Sequence, residues 1–422
     1  MSIQLAQGVN LHVIETQKYK TIRFFIRFTN RLDKATITKR ALLTSLMETN
    51  SLHYPDQKKL SSQLAELYGA NFGLGVGRKG NWHWVNANLH LVNSKYVNDP
   101  QLLPEAVAFL KEILFYPNLQ AGSWEQQTFD LEKENLKSYL ESLKEDKQTY
   151  ASLALQELYF SEDENQKIPS VGRIEDLVDL TAADLAAYYQ KMLAEDQVDI
   201  FVVGDVNTAE IAELMATLPF SNREILRPEV FYHQATTNIV KERQVQEPVM
   251  QGKLNLAYST EVYYGEAQRF ALMVFNGLFG GFPHSKLFMN VREKASLAYY
   301  ASSSVDTFRG YLSVQTGIES KNRQRVLKLI DEQLESLRHG EISELELAQT
   351  KAMLRNQYLL SLDNAQSAIE TAYLNAWLPK TVMSDEKWLA ELEKVTVADV
   401  QKIAKNIHLQ GIFFLDGMGG HA

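Results

Sequence analysis

The chain has 422 residues, 45% of them apolar and 23% charged, with a net charge of −9 and a pI near 5.6. That length and composition fit two or three domains with sizeable cores, and the acidic balance argues against nucleic acid or an anionic membrane as partner. The absence of cysteine excludes disulfides, thiolate metal sites and cysteine nucleophiles; with no bilayer-length apolar run and no basic-then-apolar leader, the expected compartment is the cytoplasm.

From Val9 to Asp33 the pattern alternates as two strands, Leu11 and Val13 before the polar Thr16-Gln17-Lys18, then Ile22, Phe24 and Ile26, which reads as a hairpin. A helical apolar stripe covers Lys39 to Asn50. A second helix after Pro55 carries Leu60, Leu64 and Leu67 and stops at Gly69. Two strands follow around Gly77-Arg78-Lys79-Gly80. From Pro104 to Tyr159 the pattern is helical in two pieces, Ala106 to Ile113 and then a long stretch from Trp124 to Leu155, and Thr181 caps a further helix that ends before the apolar strand Val198 to Gly204. Ser221 to Asn238, with Pro228 and a polar Gln234-Ala235-Thr236-Thr237, has no period and reads as linker.

The second half repeats the first. Lys59-Leu60 precedes the strand start at Asn71-Phe72 by twelve residues, and Lys286-Leu287 precedes Ala298-Tyr299 by the same twelve. Leu180-Thr181-Ala182-Ala183-Asp184 before strand Ile200 to Val203 is matched by Val395-Thr396-Val397-Ala398-Asp399 before Ile412 to Leu415. The order of elements implies a tandem duplication. The expected fold is α+β: two tandem homologous domains, residues 1–225 and 241–422 joined by a linker at 226–240, each a mixed, mainly antiparallel sheet with helices packed on one face.

The stretch Gly280 to Tyr300 reads as turn, short helix, then strand: a Gly pair and Pro283 open it, and Leu287, Phe288 and Val291 recur at helical spacing. Arg292 closes the helix and Tyr299 opens the strand. An arginine and a phenol so placed could present two donors to one carbonyl or oxyanion; the plainer alternative is a surface arginine and a half-buried tyrosine. Nine histidines are present, none paired at i, i+3 or i, i+4, so they suggest no zinc site of their own. His284, in the glycine turn next to the candidate pair, is read as a solvated turn histidine, and the last of the nine is His421.

The run Gly280-Gly281-x-x-x-Ser285-x-Leu287-Phe288-x-x-Val291-Arg292-Glu293-x-x-x-Leu297-Ala298-Tyr299, with the duplication, resembles the pitrilysin, insulinase and mitochondrial processing peptidase family of inverted-motif zinc peptidases. The resemblance covers nearly the whole chain. It implies a clamshell of two domains around a peptide-holding chamber, a His-x-x-Glu-His zinc motif in the first half with a distant Glu as third ligand, and an Arg and Tyr from the second half facing the metal. Here the motif helix reads Thr44-Ser45-Leu46-Met47-Glu48. Thr44 and Glu48 stand where the histidines belong, Met47 where the base belongs, and Tyr139 at the third-ligand position, so an inactive member with no metal of its own is expected. Arg292 and Tyr299 keep the family spacing. Three functions remain open: a non-catalytic or half-site subunit lending that pair and chamber surface to a zinc-bearing homologous partner, in a heterodimer or by self-association; a peptide-binding or chaperone-like scaffold for peptides or unfolded segments; and an enzyme of different chemistry. The chain also resembles a Gram-positive group of inactive relatives associated with 5-aminopentanol modification of elongation factor P.

Overall fold

The computed structural model describes residues 2–226 and 229–417; His421 and the linker residues Arg227 and Pro228 lie outside them. In chain order the first elements are β1 (Ser2–Ala6), β2 (Val9–Glu15), β3 (Thr21–Arg31), α1 (Lys34–Thr49), α2 (Gln57–Glu66), β4 (Asn71–Lys79), β5 (Trp82–Val92) and α3 (Leu102–Phe115). The two-residue strands β6 (Leu119–Gln120) and β7 (Ser123–Trp124) lead to α4 (Gln126–Glu145), α5 (Lys147–Tyr159), α6 (Ala182–Glu195), β8 (Gln197–Gly204) and α7 (Thr208–Met215).

Six of these strands form one sheet in the order β1-β2-β8-β3-β5-β4, with β2 and β8 parallel and the other neighbours antiparallel. The expected hairpin of β2 with β3 does not form, because β8 lies between them. The reason is burial: every residue of β8 is buried, and a strand apolar on both faces is stable only with a neighbour on each edge. The polar link at 16–20 therefore crosses from one side of β8 to the other.

The later elements are β9 (Lys241–Glu247), β10 (Gly252–Ser259), α8 (Arg269–Asn276), β11 (Ala298–Asp306), β12 (Tyr311–Ile318), α9 (Arg323–Arg338), α10 (Glu344–Ser361), α11 (Ala365–Trp377), α12 (Asp385–Lys394), α13 (Val397–Lys405) and β13 (His408–Gly417). Their sheet runs β11-β12-β10-β13-β9, with only β13 and β9 parallel. That is the order and polarity of β4-β5-β3-β8-β2, so the duplication is structural as well as sequential. Both Thr-initiated helices close the same way: Thr181 with Asp184 and Thr396 with Asp399 each form a reciprocal capping box.

The compact units cross the expected boundary between residues 225 and 241. Met1–Ser142, Ile168–Glu229 and Asp363–Tyr373 make one unit; Leu143–Lys167, Val230–Leu362 and Leu374–Ala422 make the other. Each sheet is thus completed by a helix from the other half of the sequence. In the second unit Ala151, Ala154, Leu155 and Tyr159 of α5 share a core with Ala257, Tyr311, Phe413 and Leu415 of the sheet. In the first unit β3 turns Ile22, Phe24, Ile26 and Phe28 to one side and Arg23, Arg27 and Thr29 to the other, as strand alternation requires. That second side takes the start of α11: Arg27 bonds Glu370, Thr29 Oγ1 lies 3.2 Å from the Tyr373 hydroxyl, and Arg23 donates to Gln366 at 3.1 Å. Among the described residues no helix is long and apolar enough to cross a membrane.

Candidate functional site

Asp33 caps α1, its carboxylate accepting from Ala35 N at 2.9 Å, and α1 packs on β4 and β5. This places Thr44, Met47 and Glu48, the residues expected at the motif positions, on the buried side of the helix or at its margin. The Thr44 hydroxyl donates to the Ala41 carbonyl at 2.7 Å and so is spent inside its own helix. Met47 is 1% exposed and packs as a core residue. Glu48 is half-buried and its carboxylate accepts the backbone N–H of Leu74 on β4. Burial pushes the Glu48 carboxyl up and the charge of Glu132 pushes the same way, against the Leu74 bond, so it stands above the usual carboxylate range.

The α4 carboxylate beside α1 is Glu132, which accepts from the Thr49 hydroxyl at 2.8 Å and from Asn135 Nδ2 at 3.2 Å. Tyr139 lies two turns further along α4 and is 49% exposed. Zinc needs several imidazole, thiolate or carboxylate donors converging at about 2 Å. A hydroxyl bound to its own helix, a thioether and a carboxylate held by a backbone amide do not meet that need. Among the described residues no group of three or more His, Asp or Glu side chains is placed to hold a metal. Zinc therefore does not fit these residues.

The Arg292 and Tyr299 positions are built differently. α8 runs on into a π-helical turn at Gly277–Gly281, and Leu287–Lys294 is π-helical too, where a short ordinary helix was expected. The wider turn shows in the Ala295 N–H, which reaches the Asn290 carbonyl five residues back at 3.3 Å. Leu287 and Val291 are buried, as their spacing implies, and Arg292 projects from the exposed side. Its guanidinium lies 4.5 Å from the Phe288 ring centroid and its Nε 3.5 Å from Glu293 Oε1.

Tyr299 follows Ser296, which turns the chain with a φ of 53°. In the pairing of β11 with β12, Ala298 faces Ile318 and Tyr300 faces Gly317, so Tyr299 is the extra residue of a β-bulge. It is 63% exposed, and among the described residues its hydroxyl has no hydrogen-bond partner. Arg292 and Tyr299 line one cavity of about 430 Å³ with Glu293, Ser296, Leu297, Ala298, Glu319 and Asn322. The lining thus includes one charged donor group, the guanidinium, and one neutral donor, the phenol. His284, expected to be solvated, instead places Nε2 2.8 Å from the Thr350 hydroxyl and stacks on Phe282, which fixes the turn ahead of the π helix.

A family model described as the peptidase M16 inactive domain matches residues 179–354. A Bacillus subtilis protein described as "Probable inactive metalloprotease YmfF" is 36% identical over 416 residues, 98% of this chain and 97% of that one. The chain belongs to the M16 peptidase family. A crystal structure of a conserved protein from Enterococcus faecalis V583 is similar at 61% identity and a TM-score of 0.96, covering 100% of this chain and 99% of that one. The peptidase M16 inactive domain from Pseudomonas fluorescens, at 19% identity and a TM-score of 0.78 over 99% and 98% of the two chains, shares the fold. On the helix where the motif was expected, Thr44 donates within its own helix and Glu48 accepts from the Leu74 amide.

Sequence reasoning had Arg292 and Tyr299 on adjoining elements, and the structure brings them to one cavity. It did not find the bulge, the π turns or Glu132 as the carboxylate next to Glu48. The bulge left one readable sign, two adjacent tyrosines at 299 and 300 where strand alternation calls for one facing each way.

Proposed function

We propose that this chain is a half-site subunit of a zinc peptidase-like pair: it lends Arg292 and Tyr299, and the cavity they line, to a homologous partner that carries the metal, and the pair acts on a peptide or an unfolded protein segment. The observation that supports this is an asymmetry within one chain. In the first half, each motif position has been absorbed into packing or a local hydrogen bond. In the second half, the arginine and the phenol share a cavity, and the phenol is displaced from strand pairing and left free. Packing gives no reason to hold a bulged, exposed tyrosine next to an exposed arginine, whereas binding a polarised carbonyl does.

The chemistry asked of this chain is to bind and orient. Arg292 supplies a fixed positive donor for a peptide carbonyl or terminal carboxylate, and the Tyr299 hydroxyl supplies a second donor to an oxygen that gains charge as a peptide bond is attacked. Tyr299→Phe removes only that hydroxyl, so association with the partner persists while turnover of the co-purified pair falls on the order of 10²-fold. Arg292→Ala lowers turnover and also raises KM, since it deletes a charge that holds substrate. Wild-type cleavage by both variants while still bound to the partner would eliminate the half-site reading and leave the peptide-binding scaffold in its place.

A further inference from the structure

We propose that Tyr300 and Gln148 are positioning residues for Tyr299: the second tyrosine of the pair, pinned by a helix from the first half of the sequence, sets which of the two phenols enters the Arg292 cavity. The inference rests on the half-site reading of Arg292 and Tyr299.

The problem it answers is one of register. Side chains alternate along a strand, so a slip of one residue exchanges every side chain between the faces of a sheet. At the start of β11 such a slip is concealed, because residues 299 and 300 are both tyrosine. A bulge makes the slip easier still, since its extra residue has no ladder partner to hold it. Something other than ladder pairing must specify that Tyr299 faces the cavity.

Tyr300 is where that specification is built. Its hydroxyl donates to Gln148 Oε1 in the first turn of α5. Gln148 is itself held, its Nε2 donating to Ser152 Oγ at 3.2 Å, and Ser152 Oγ in turn accepts from Gln315 Nε2 on β12 at 3.1 Å. The pin thus runs from β11 through α5 to the neighbouring strand. Burial pushes the Tyr300 phenol up, with Asp146 adding to the effect, so the hydroxyl keeps the proton it donates.

The ring also has a place cut for it. Gly317 stands opposite Tyr300 in the ladder, and a Cβ there would come 2.4 Å from Tyr300 Cε1 and 2.7 Å from Gln251 Oε1. Only glycine leaves room for the ring. The Lys253 ammonium lies 5.2 Å from the ring centroid, an added attraction on the same side. Tyr299 has no comparable fixture.

Two measurements test this, one without the partner. In the chain alone, 3-fluorotyrosine encoded at position 299 gives one ¹⁹F resonance in the wild type. Tyr300→Phe, Gln148→Leu and Gly317→Ala shift or split it. In the co-purified pair, Tyr300→Phe lowers kcat on the order of 10-fold to 100-fold with KM unchanged, the scale of a misplaced group, and adds nothing on top of Tyr299→Phe. An unshifted resonance in Tyr300→Phe and Gln148→Leu overturns the positioning role. So does a Tyr300→Phe loss that multiplies with that of Tyr299→Phe. A shifted resonance together with a silent Tyr299→Phe would leave the positioning intact and sink the half-site reading.

Discussion

Replacing Glu370 with Gln strands a charge. Arg27 is 1% exposed, and Glu370, 29% exposed, is its carboxylate partner, with the Lys79 ammonium 3.6 Å away on the other carboxylate oxygen. Removing one member of a buried ion pair costs about 3–5 kcal/mol, because the remaining ion stays buried and uncompensated. Two features reduce that figure here. Asn86 Oδ1 still accepts from Arg27 Nε at 2.9 Å, and the guanidinium still lies 4.2 Å and 4.3 Å from the Trp84 and Tyr373 rings, contacts that continue to favour a cation. The expected cost is about 2–3 kcal/mol, which in a unit of this size lowers the unfolding midpoint by about 4–12 °C. Circular dichroism melts read the midpoint, and amide exchange in residues 363–373 shows whether the loss is local to α11. Adding Arg27→Met to Glu370→Gln removes the stranded charge and restores most of the midpoint, so the double variant melts above the Glu370 single one. Acid has a related effect. Burial pushes the Glu370 carboxyl up, but the Arg27 bonds and charge with Lys79 outweigh it and hold the group below its ordinary value. This contribution is present above the unfolded carboxyl pKa and is lost as pH falls through the lower folded one. A Glu370→Gln midpoint equal to wild type, or a double variant that melts lower than the single, would refute the reasoning.

Three further outcomes are expected. His83 is pushed down to about 3 by burial and by the charges of Arg40 and Arg78, against its bond to the Ser170 carbonyl; the unfolded chain takes the proton first, so stability falls between about pH 6.5 and 3 at up to about 1.4 kcal/mol per unit, and urea titrations of His83→Gln show a shallower slope. Glu48 stands above its ordinary value for reasons of burial first, so the folded state takes the proton more readily and Glu48→Gln melts higher than wild type at pH 7; this advantage shrinks as pH falls through the raised folded pKa, and no difference at either pH would show the carboxylate to be solvated. Thr44→His, Met47→Glu, Glu48→His and Tyr139→Glu together bind zinc weakly and cleave no peptide, since nothing in the first unit orients new imidazoles and Leu74 N loses its acceptor; one tightly bound zinc per chain after dialysis, with activity, contradicts this.

Local chemistry made much of the fold readable. The capping boxes at Thr181 and Thr396 are three-residue signals, and the apolar spacing of Leu287 and Val291 identified the buried side of a helix. What stayed hidden was non-local. Nothing in Leu11 or Ile22 says that Val198 to Val203 will come between them, because a strand's neighbours are chosen by total burial. Nothing in the sequence of α5 names the sheet it will cover, and only the matching surfaces of Ala257 and Phe413 reveal where it packs. At the site the residues were legible and their aim was not. Arg292 and Tyr299 could be named from spacing, but the π turn and the bulge are insertions of a fraction of a turn and of one residue, below the resolution of periodicity. In the first half, the loss of imidazoles was plain, while the new work of Glu48 depended on β4 lying within its reach.

The exchange of helices makes the chain resistant to being taken apart. A protease cut between residues 226 and 240 would leave an amino-terminal fragment carrying α5, which the second sheet needs, and a carboxy-terminal fragment carrying α11, which the first sheet needs. Neither fragment holds all the pieces of either unit, so the nicked protein stays together or both parts unfold. The same holds for any excised piece. Residues 179–354, the span matched by the family model, contain β9 to β12 but lack β13, which sits between β10 and β9, and lack α5 as well. Each compact unit therefore draws on both halves of the sequence, so no cut at a single place in the chain separates one unit whole from the other.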